Sequence, residues 1–290
     1  MTTPEPVVSV RDLRKTYGSF TALDGVSFDI ARGETFALLG PNGAGKSTTV
    51  EILEGYRERS GGEVRVLGTD PRHAGLDWKA RIGIVLQQTG ESGNVTVREQ
   101  LTHFASLYPH PRDIDEVIAA VGLEEKQKTR IKALSGGQRR RVDVALGVIG
   151  RPELLFLDEP TTGFDPEARR QFWGLIRSLS SEGTTIVLTT HYLDEAAQLS
   201  DRAAVIAAGR LIDIGPVHEL GSAEARVPRV RWIDGEGVHE QRTLEPGRLV
   251  AELMATGGEP RELEVIRPSL EDVYLELVDS VATSPEGALA

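Results

Sequence analysis

The stretch "GPNGAGKST", residues 40 to 48, does most to limit what this chain can fold into. It carries the pattern G-x-x-x-x-G-K-[ST] at Gly40, Gly45, Lys46 and Ser47, after the apolar run "ETFALL" and before the helical "TTVEIL". A glycine-rich loop between a strand and a helix N-terminus cradles phosphate, because glycines let backbone N–H groups close around the anion. The lysine adds a point charge at the β- and γ-phosphates, and the serine hydroxyl can ligate Mg2+. Gly40, Pro41, Asn42, Gly43, Ala44, Gly45, Lys46, Ser47 and Thr48 are therefore the expected nucleotide-binding loop.

A second feature fits the first. "LLFLDEP" is an apolar strand ending in two acids, Asp158 and Glu159. Alone, such a pair is an ordinary solvated turn. Downstream of a phosphate loop, Asp158 is placed for the Mg2+ shell and Glu159 for polarising a water that attacks the γ-phosphate. Nucleotide binding and ATP hydrolysis follow as the expected activity, with ATP and Mg2+ as the ligands.

The rest of the chain reads as α/β. Residues 7 to 39 form short strands broken by Gly and Asp, the expected edge of a mixed sheet. "TVREQLTHFASLY" has a Thr96/Glu99 capping box and sets Val97, Leu101, Phe104 and Tyr108 on one helix face, while "DEVIAAVGL" stops at Gly122. "ELLFLDE" and "TTIVLTTH" are continuous apolar runs of strand length, as in central parallel strands buried on both faces. "AAVIAAGRLIDIG" reads as a hairpin turning near Gly209. Small, charged and proline residues interrupt the pattern around 221 to 229. The expected division is a nucleotide-binding domain over 1–220 with a helical subdomain at about 88–150, a small α+β module over 221–278, and a disordered tail over 279–290.

Composition narrows the function classes. Cysteine is absent, which excludes thiol chemistry. A net charge of -11 argues against nucleic acid as a partner. No apolar run approaches the ~18 residues of a membrane span, and "MTTPEPVVSV" has neither the basic nor the apolar region of a signal peptide. A soluble, cytoplasmic protein is expected.

"IKALSGGQRRRVDVALGVIG" opens a helix with Ser135 and Gln138 as a capping box and Val142, Ala145, Leu146 and Ile149 on one face. Its first turn holds Arg139, Arg140 and Arg141 at the positive end of the dipole, where each cation costs about 0.3–1 kcal/mol. Such a start awaits an anion or neighbouring acids. "LSGGQ" at Leu134 to Gln138, together with the phosphate loop and "LLFLDE", resembles the signature of ATP-binding cassette (ABC) proteins over residues 7 to 220. The fold class is accordingly a P-loop ABC ATPase core, mixed sheet plus helical subdomain, with a small C-terminal α+β module.

The resemblance implies more than the residues alone. The awaited anion becomes the γ-phosphate of an ATP held by a second, facing copy, met by Ser135, Gly136, Gly137 and Gln138. Gln87 matches the glutamine that senses Mg2+ and the transport partner, and Asp165 the aspartate of the dimer interface. His191 matches the switch histidine at the γ-phosphate, and Tyr17 the aromatic that stacks on adenine. Glu159, His191 and Gln87 are thus the catalytic set, and Ser47, Gln87 and Asp158 the Mg2+ ligands. Phe164 departs from the family, where leucine is common, and leaves its packing across the interface open. The segment from Leu134 to Trp173 and the ending "RPSLEDVYLELV" resemble ATPase subunits of ABC-2-type exporters, the daunorubicin-resistance-like group. That group implies an integral-membrane permease partner, a place on the inner face of the cell membrane, and drugs or other hydrophobic or cell-envelope compounds as cargo. An importer ATPase, or a soluble ABC ATPase with a non-transport client, is the alternative.

Overall fold

The computed structural model describes residues 5–86, 94–257 and 261–282. The chain divides into a unit over Met1–Val217 and a second over His218–Ala290. The break falls three residues ahead of the expected 220.

The first unit begins with β1 (Val8–Tyr17), β2 (Phe20–Ile30), β3 (Thr35–Leu39), α1 (Lys46–Leu53) and β4 (Gly61–Val66). Next come α2 (Leu76–Lys79), β5 (Ile82–Val85) and the helical subdomain of α3 (Val97–Ala105), α4 (Ile114–Ala120) and α5 (Gly136–Val148). It closes with β6 (Leu154–Asp158), α6 (Pro166–Ser181), β7 (Thr185–Thr189), α7 (Leu193–Leu199), β8 (Arg202–Ala207) and β9 (Arg210–Pro216). Strands β2-β1-β4 form an antiparallel sheet, and β5-β6-β7-β3-β8-β9 a second sheet that is parallel except for the β8–β9 hairpin.

The apolar strands lie between two cores, and the strand period of two assigns their side chains alternately. On β6, Leu155 and Leu157 face the core of the helical subdomain, while Leu154 and Phe156 face the core shared by β1, β2, β4 and α1. On β7, Ile186 and Leu188 face the first core and Val187 the second. Each such side chain contributes about 1.5–3 kcal/mol by leaving water, which explains why "LLFL" and "TIVL" show no polar alternation. The C-terminal ends of β3, β6 and β7 therefore emerge side by side from a rigid slab.

Two helix boundaries differ from the sequence reading. Helix α3 ends at Ala105, and the N–H groups of Leu107 and Tyr108 bond three residues back in tighter turns, to Phe104 and Ala105. Tyr108 still packs on the same core. Residues 279–282, expected in a disordered tail, complete the last helix of the second unit, since neither Gly nor Pro occurs before Ala282 to stop it.

The second unit holds β10 (Arg229–Asp234), β11 (Gly237–Arg242), α8 (Pro246–Gly257), β12 (Arg261–Ile266) and α9 (Leu270–Ala282), with an antiparallel sheet in the order β11-β10-β12. Ser269 and Asp272 cap α9 reciprocally: the Ser269 N–H donates to the Asp272 carboxylate at 2.8 Å, and the Asp272 N–H donates to Ser269 Oγ at 3.2 Å. Val273 is buried in this unit, against Gly221, where an added Cβ would sit 2.3 Å from its Cγ1.

Candidate nucleotide site

The loop from Gly40 to Gly45 leaves β3 and turns into α1. Two of its glycines are demanded by the chain's own packing. A Cβ on Gly40 would lie 2.1 Å from the Ile206 carbonyl oxygen, and one on Gly45 would lie 2.6 Å from Leu23 Cδ2 and 2.8 Å from the Ala22 carbonyl. Gly45 also has φ +107, a conformation that disfavours side chains. The N-terminus of α1 has no side-chain cap and no acid in its first turn, so its N–H groups remain available to an anion.

Lys46 Nζ donates to the carbonyls of Gly40 at 2.7 Å and Pro41 at 3.1 Å. Burial pushes its pKa down, and the nearby charges of Glu159 and Asp158 act in the opposite sense. The ammonium, the loop and both acids thus share one electrostatic environment.

Sheet register brings the remaining groups together. Asp158 pairs with Thr189 across β6 and β7, and the Thr189 hydroxyl donates to Asp158 Oδ1. One residue beyond β6 and two beyond β7, the chain presents Glu159 and His191, with Glu159 Oε2 3.3 Å from His191 Nδ1. Glu159 has φ +45, an uncommon value for a residue with a side chain. Its N–H donates to the Thr189 carbonyl at 3.0 Å and the Thr189 hydroxyl at 3.2 Å.

Glu159 and His191 border a cleft of about 670 Å³ lined also by Tyr17, Phe20, Ala22, Asn42, Gly43, Gly45, Lys46, Ser47 and Thr48, while Gly40, Pro41, Ala44 and Asp158 of the expected set are not among its lining residues. Its volume falls in the ~300–1,000 Å³ range of small-molecule sites. Sequence reasoning missed Phe20 and Ala22. The signal lies in "TYGSF": Tyr17 and Phe20 pair across a two-residue turn, which directs both rings to one face. Lys15 Nζ and the Arg57 guanidinium lie 4.9 and 5.3 Å from the Tyr17 ring centre.

The other expected residues lie elsewhere. Ser135 and Gln138 form their capping box, with the Ser135 N–H donating to Gln138 Oε1 at 3.1 Å and the Gln138 N–H to Ser135 Oγ at 3.2 Å. Ser135 and Gly136 are exposed, and neither they nor Gly137 and Gln138 line the cleft. Asp165 caps α6 by accepting from the Ala168 N–H at 2.8 Å and is likewise outside the lining. Gln87 lies outside the described residues. Phe164 is buried in its own chain, edge-on to Phe172 with ring centres 5.8 Å apart. The run of arginines also divides. Arg139 is exposed, Arg140 turns inward onto backbone carbonyls, and Arg141 donates to the Val121 carbonyl and to Gln171 Oε1 at 2.6 Å. Arg140 and Arg141 thus bond to neutral acceptors of the same chain, and for Arg140 the neighbouring acids of the expected alternative are present, since the charges of Asp143, Asp158, Glu195 and Glu159 favour its guanidinium.

The sequence pattern described as ABC transporter matches residues 23–162. A Nod factor export ATP-binding protein from Ralstonia nicotianae is 38% identical over 302 aligned positions, which span 94% of each chain. This chain belongs to the ABC transporter family. It is an ATPase cassette of that family and binds ATP. A second ABC relative, the daunorubicin/doxorubicin resistance ATP-binding protein of Streptomyces peucetius, is 36% identical and aligns with 95% of this chain and 93% of its own. Among solved structures, an ATP-binding subunit of an ABC transporter shares the fold with a TM-score of 0.70 at 23% identity, over 93% of this chain and 99% of that one. A dimeric ABC cassette bound to ADP and phosphate has a TM-score of 0.65 at 25% identity, over 72% of this chain and 98% of that one. Among the described residues, no helix is long and apolar enough to cross a membrane.

Proposed function

We propose that this chain is the ATP-hydrolysing subunit of an ABC-2-type exporter, acting as a homodimer on a separately encoded membrane permease at the inner face of the cell membrane. One observation carries the dimer: the cleft holds the phosphate loop, Glu159 and His191, whereas the capped, exposed Ser135–Gly136 turn and Asp165 lie outside it. A head-to-tail pair would complete each cleft with the other copy's signature turn. Charge-assisted hydrogen bonds to ATP of about 1.5–3 kcal/mol each would then join the halves.

Within one cleft, Lys46 and the open N-terminus of α1 bind the phosphates, and Tyr17 stacks on the base. Glu159 accepts a proton from the attacking water, and His191 orients that carboxylate. Ser47 and Asp158, with Gln87, would hold Mg2+; an all-oxygen donor set beside a phosphate cradle suits that ion. Bound Mg2+ supplies neutralisation of charge on the β- and γ-phosphates. The permease docks beside Gln87 and along α3 and the turn that follows it, with Leu86 just before Gln87 and Leu107 just after α3 both exposed. The named relatives, one in Nod factor export and one in daunorubicin resistance, favour a hydrophobic or cell-envelope cargo.

Expression with and without the permease encoded beside it, followed by membrane sedimentation and ATPase assay, tests the proposal. Co-purification with a multi-span protein and an altered ATPase rate support it. A chain that stays in the supernatant, with a rate indifferent to the permease, defeats the transport reading.

A further inference from the structure

Arg140 has a place that neither the motif reading nor the nucleotide cleft explains. It stands near the start of α5, five residues after the signature serine, yet the residue is only 7% exposed. Nη2 donates to the Asp158 carbonyl at 2.7 Å and Nε to the Pro160 carbonyl at 3.0 Å, while Nη1 donates to the carbonyl of Leu86, next to Gln87. The first two acceptors flank Glu159 on either side. Glu159 itself is held at φ +45, where a side chain is unfavourable and surrounding bonds must fix the backbone.

From this geometry we infer that Arg140 is a positioning residue for hydrolysis: its planar fork clamps the peptide that enters Glu159 and the peptide that leaves Pro160, tying the carboxylate's backbone conformation to the signature helix. The inference rests on the reading of Glu159 as the catalytic carboxylate. Arginine suits the task because its donors are fixed in a plane and can serve two carbonyls together, whereas a lysine ammonium presents one point of attachment. Burial opposes the guanidinium charge, and Asp143, Asp158, Glu195 and Glu159 lie close enough to favour it. The third bond, to Leu86, joins the same guanidinium to the chain entering Gln87. A shift of α5 on engaging a second copy's nucleotide would thus reach Glu159 through a single side chain.

The test uses the full-length chain with Arg140→Gln and Arg140→Lys, each alone and combined with Glu159→Gln. The measurements are kcat and KM for ATP, affinity for a fluorescent ATP analogue, and thermal unfolding. Arg140→Gln is expected to lower kcat by roughly tenfold or more, with KM and analogue affinity within about threefold, and Arg140→Lys to recover part of the loss. In the Glu159→Gln background neither change is expected to alter the residual rate by more than about twofold, because the group being positioned is gone. A folded Arg140→Gln with unchanged kcat, a fully active Arg140→Lys, a loss confined to KM, or an equal fold-loss in the Glu159→Gln background would each overturn the inference. If Arg140→Gln does not fold, the lysine variant carries the same cycle. Glu159→Gln alone separates the two readings: if it leaves turnover intact, the role of Glu159 fails first, and Arg140 cannot be acting through it.

Discussion

The N-termini of α1 and α5 both carry glycines, and they are built in opposite ways. At α1 the turn lacks a side-chain cap, and Gly40 and Gly45 are pressed against Ile206, Ala22 and Leu23 of the same chain. At α5 the turn carries a capping box of Ser135 and Gln138, while a Cβ on Gly136 would meet nothing within 4 Å and one on Gly137 only Phe164 Cδ1 at 3.9 Å. The fold therefore explains the first pair of glycines. It gives no internal reason for the second pair, which is what a surface built to receive another molecule would look like. The phosphate loop is a finished half-site, and the signature turn is a half-site facing outward.

The largest expected effect falls on the finished half. Glu159→Gln removes the proton acceptor while keeping size and hydrogen bonding, so turnover should fall by ~10²- to 10⁴-fold with ATP affinity retained. Steady-state ATPase together with nucleotide binding checks this. Unchanged turnover would take hydrolysis away from Glu159. Because bound ATP would persist, the same variant should also move to a dimer in size-exclusion chromatography when ATP is added.

Exchanging single glycines sharpens the comparison directly. Gly45→Ala must displace Leu23 and the Ala22 backbone at φ +107, which should cost about 1–3 kcal/mol or more of stability, visible as a lower urea midpoint. Gly136→Ala meets no neighbour and should leave that midpoint unchanged or slightly higher, while lowering ATPase by obstructing the second copy. If Gly136→Ala retained full ATPase, the outward-facing half-site would have lost its support.

The same contrast shows why only part of the site was legible in the sequence. Gly40 to Thr48, Asp158 and Glu159 were legible because a strand end, a loop and a helix start are local, and residue type and spacing determine them. Arg140 was not. Read along the helix it is an unfavourable cation in a first turn, and its acceptors, Asp158, Pro160 and Leu86, lie 18, 20 and 54 residues away. Phe20 and Ala22 join the cleft only through the β1–β2 hairpin. The strand order could not be read either, since β3 is flanked by β7 and β8 rather than by neighbours in sequence.

Glu54 offers a pH-dependent test of the finished half. It ends α1, where the helix dipole is negative, and burial first, then the charges of Asp158 and Glu51, push its carboxyl from the usual 4.5 up to about 8. The folded chain therefore keeps this proton over a range in which the unfolded chain has released it. Stability should fall as pH rises from about 5 to 8, by at most about 1.4 kcal/mol per pH unit from this group. Glu54→Gln, which cannot ionise, should flatten that slope in urea melts across the range. An unaltered slope would show that the group is not held neutral.

The smallest effect compares two caps of the same design. Ser269 caps α9 through Asp272, whose carboxyl is held below the usual carboxylate range chiefly by its hydrogen bonds with Ser269. Ser269→Ala should cost about 1 kcal/mol, as the loss of an N-cap does, and should leave ATPase per folded molecule unaltered. Ser135→Ala removes an equivalent cap and should cost a similar amount, but here turnover should fall as well. A helix start that serves only its own helix loses stability alone; one that also meets a second copy loses stability and rate together. Equal behaviour of the two alanine variants in both measurements would mean that Ser135, too, is only a cap, and that the signature turn acts through Gly136, Gly137 and Arg140 instead.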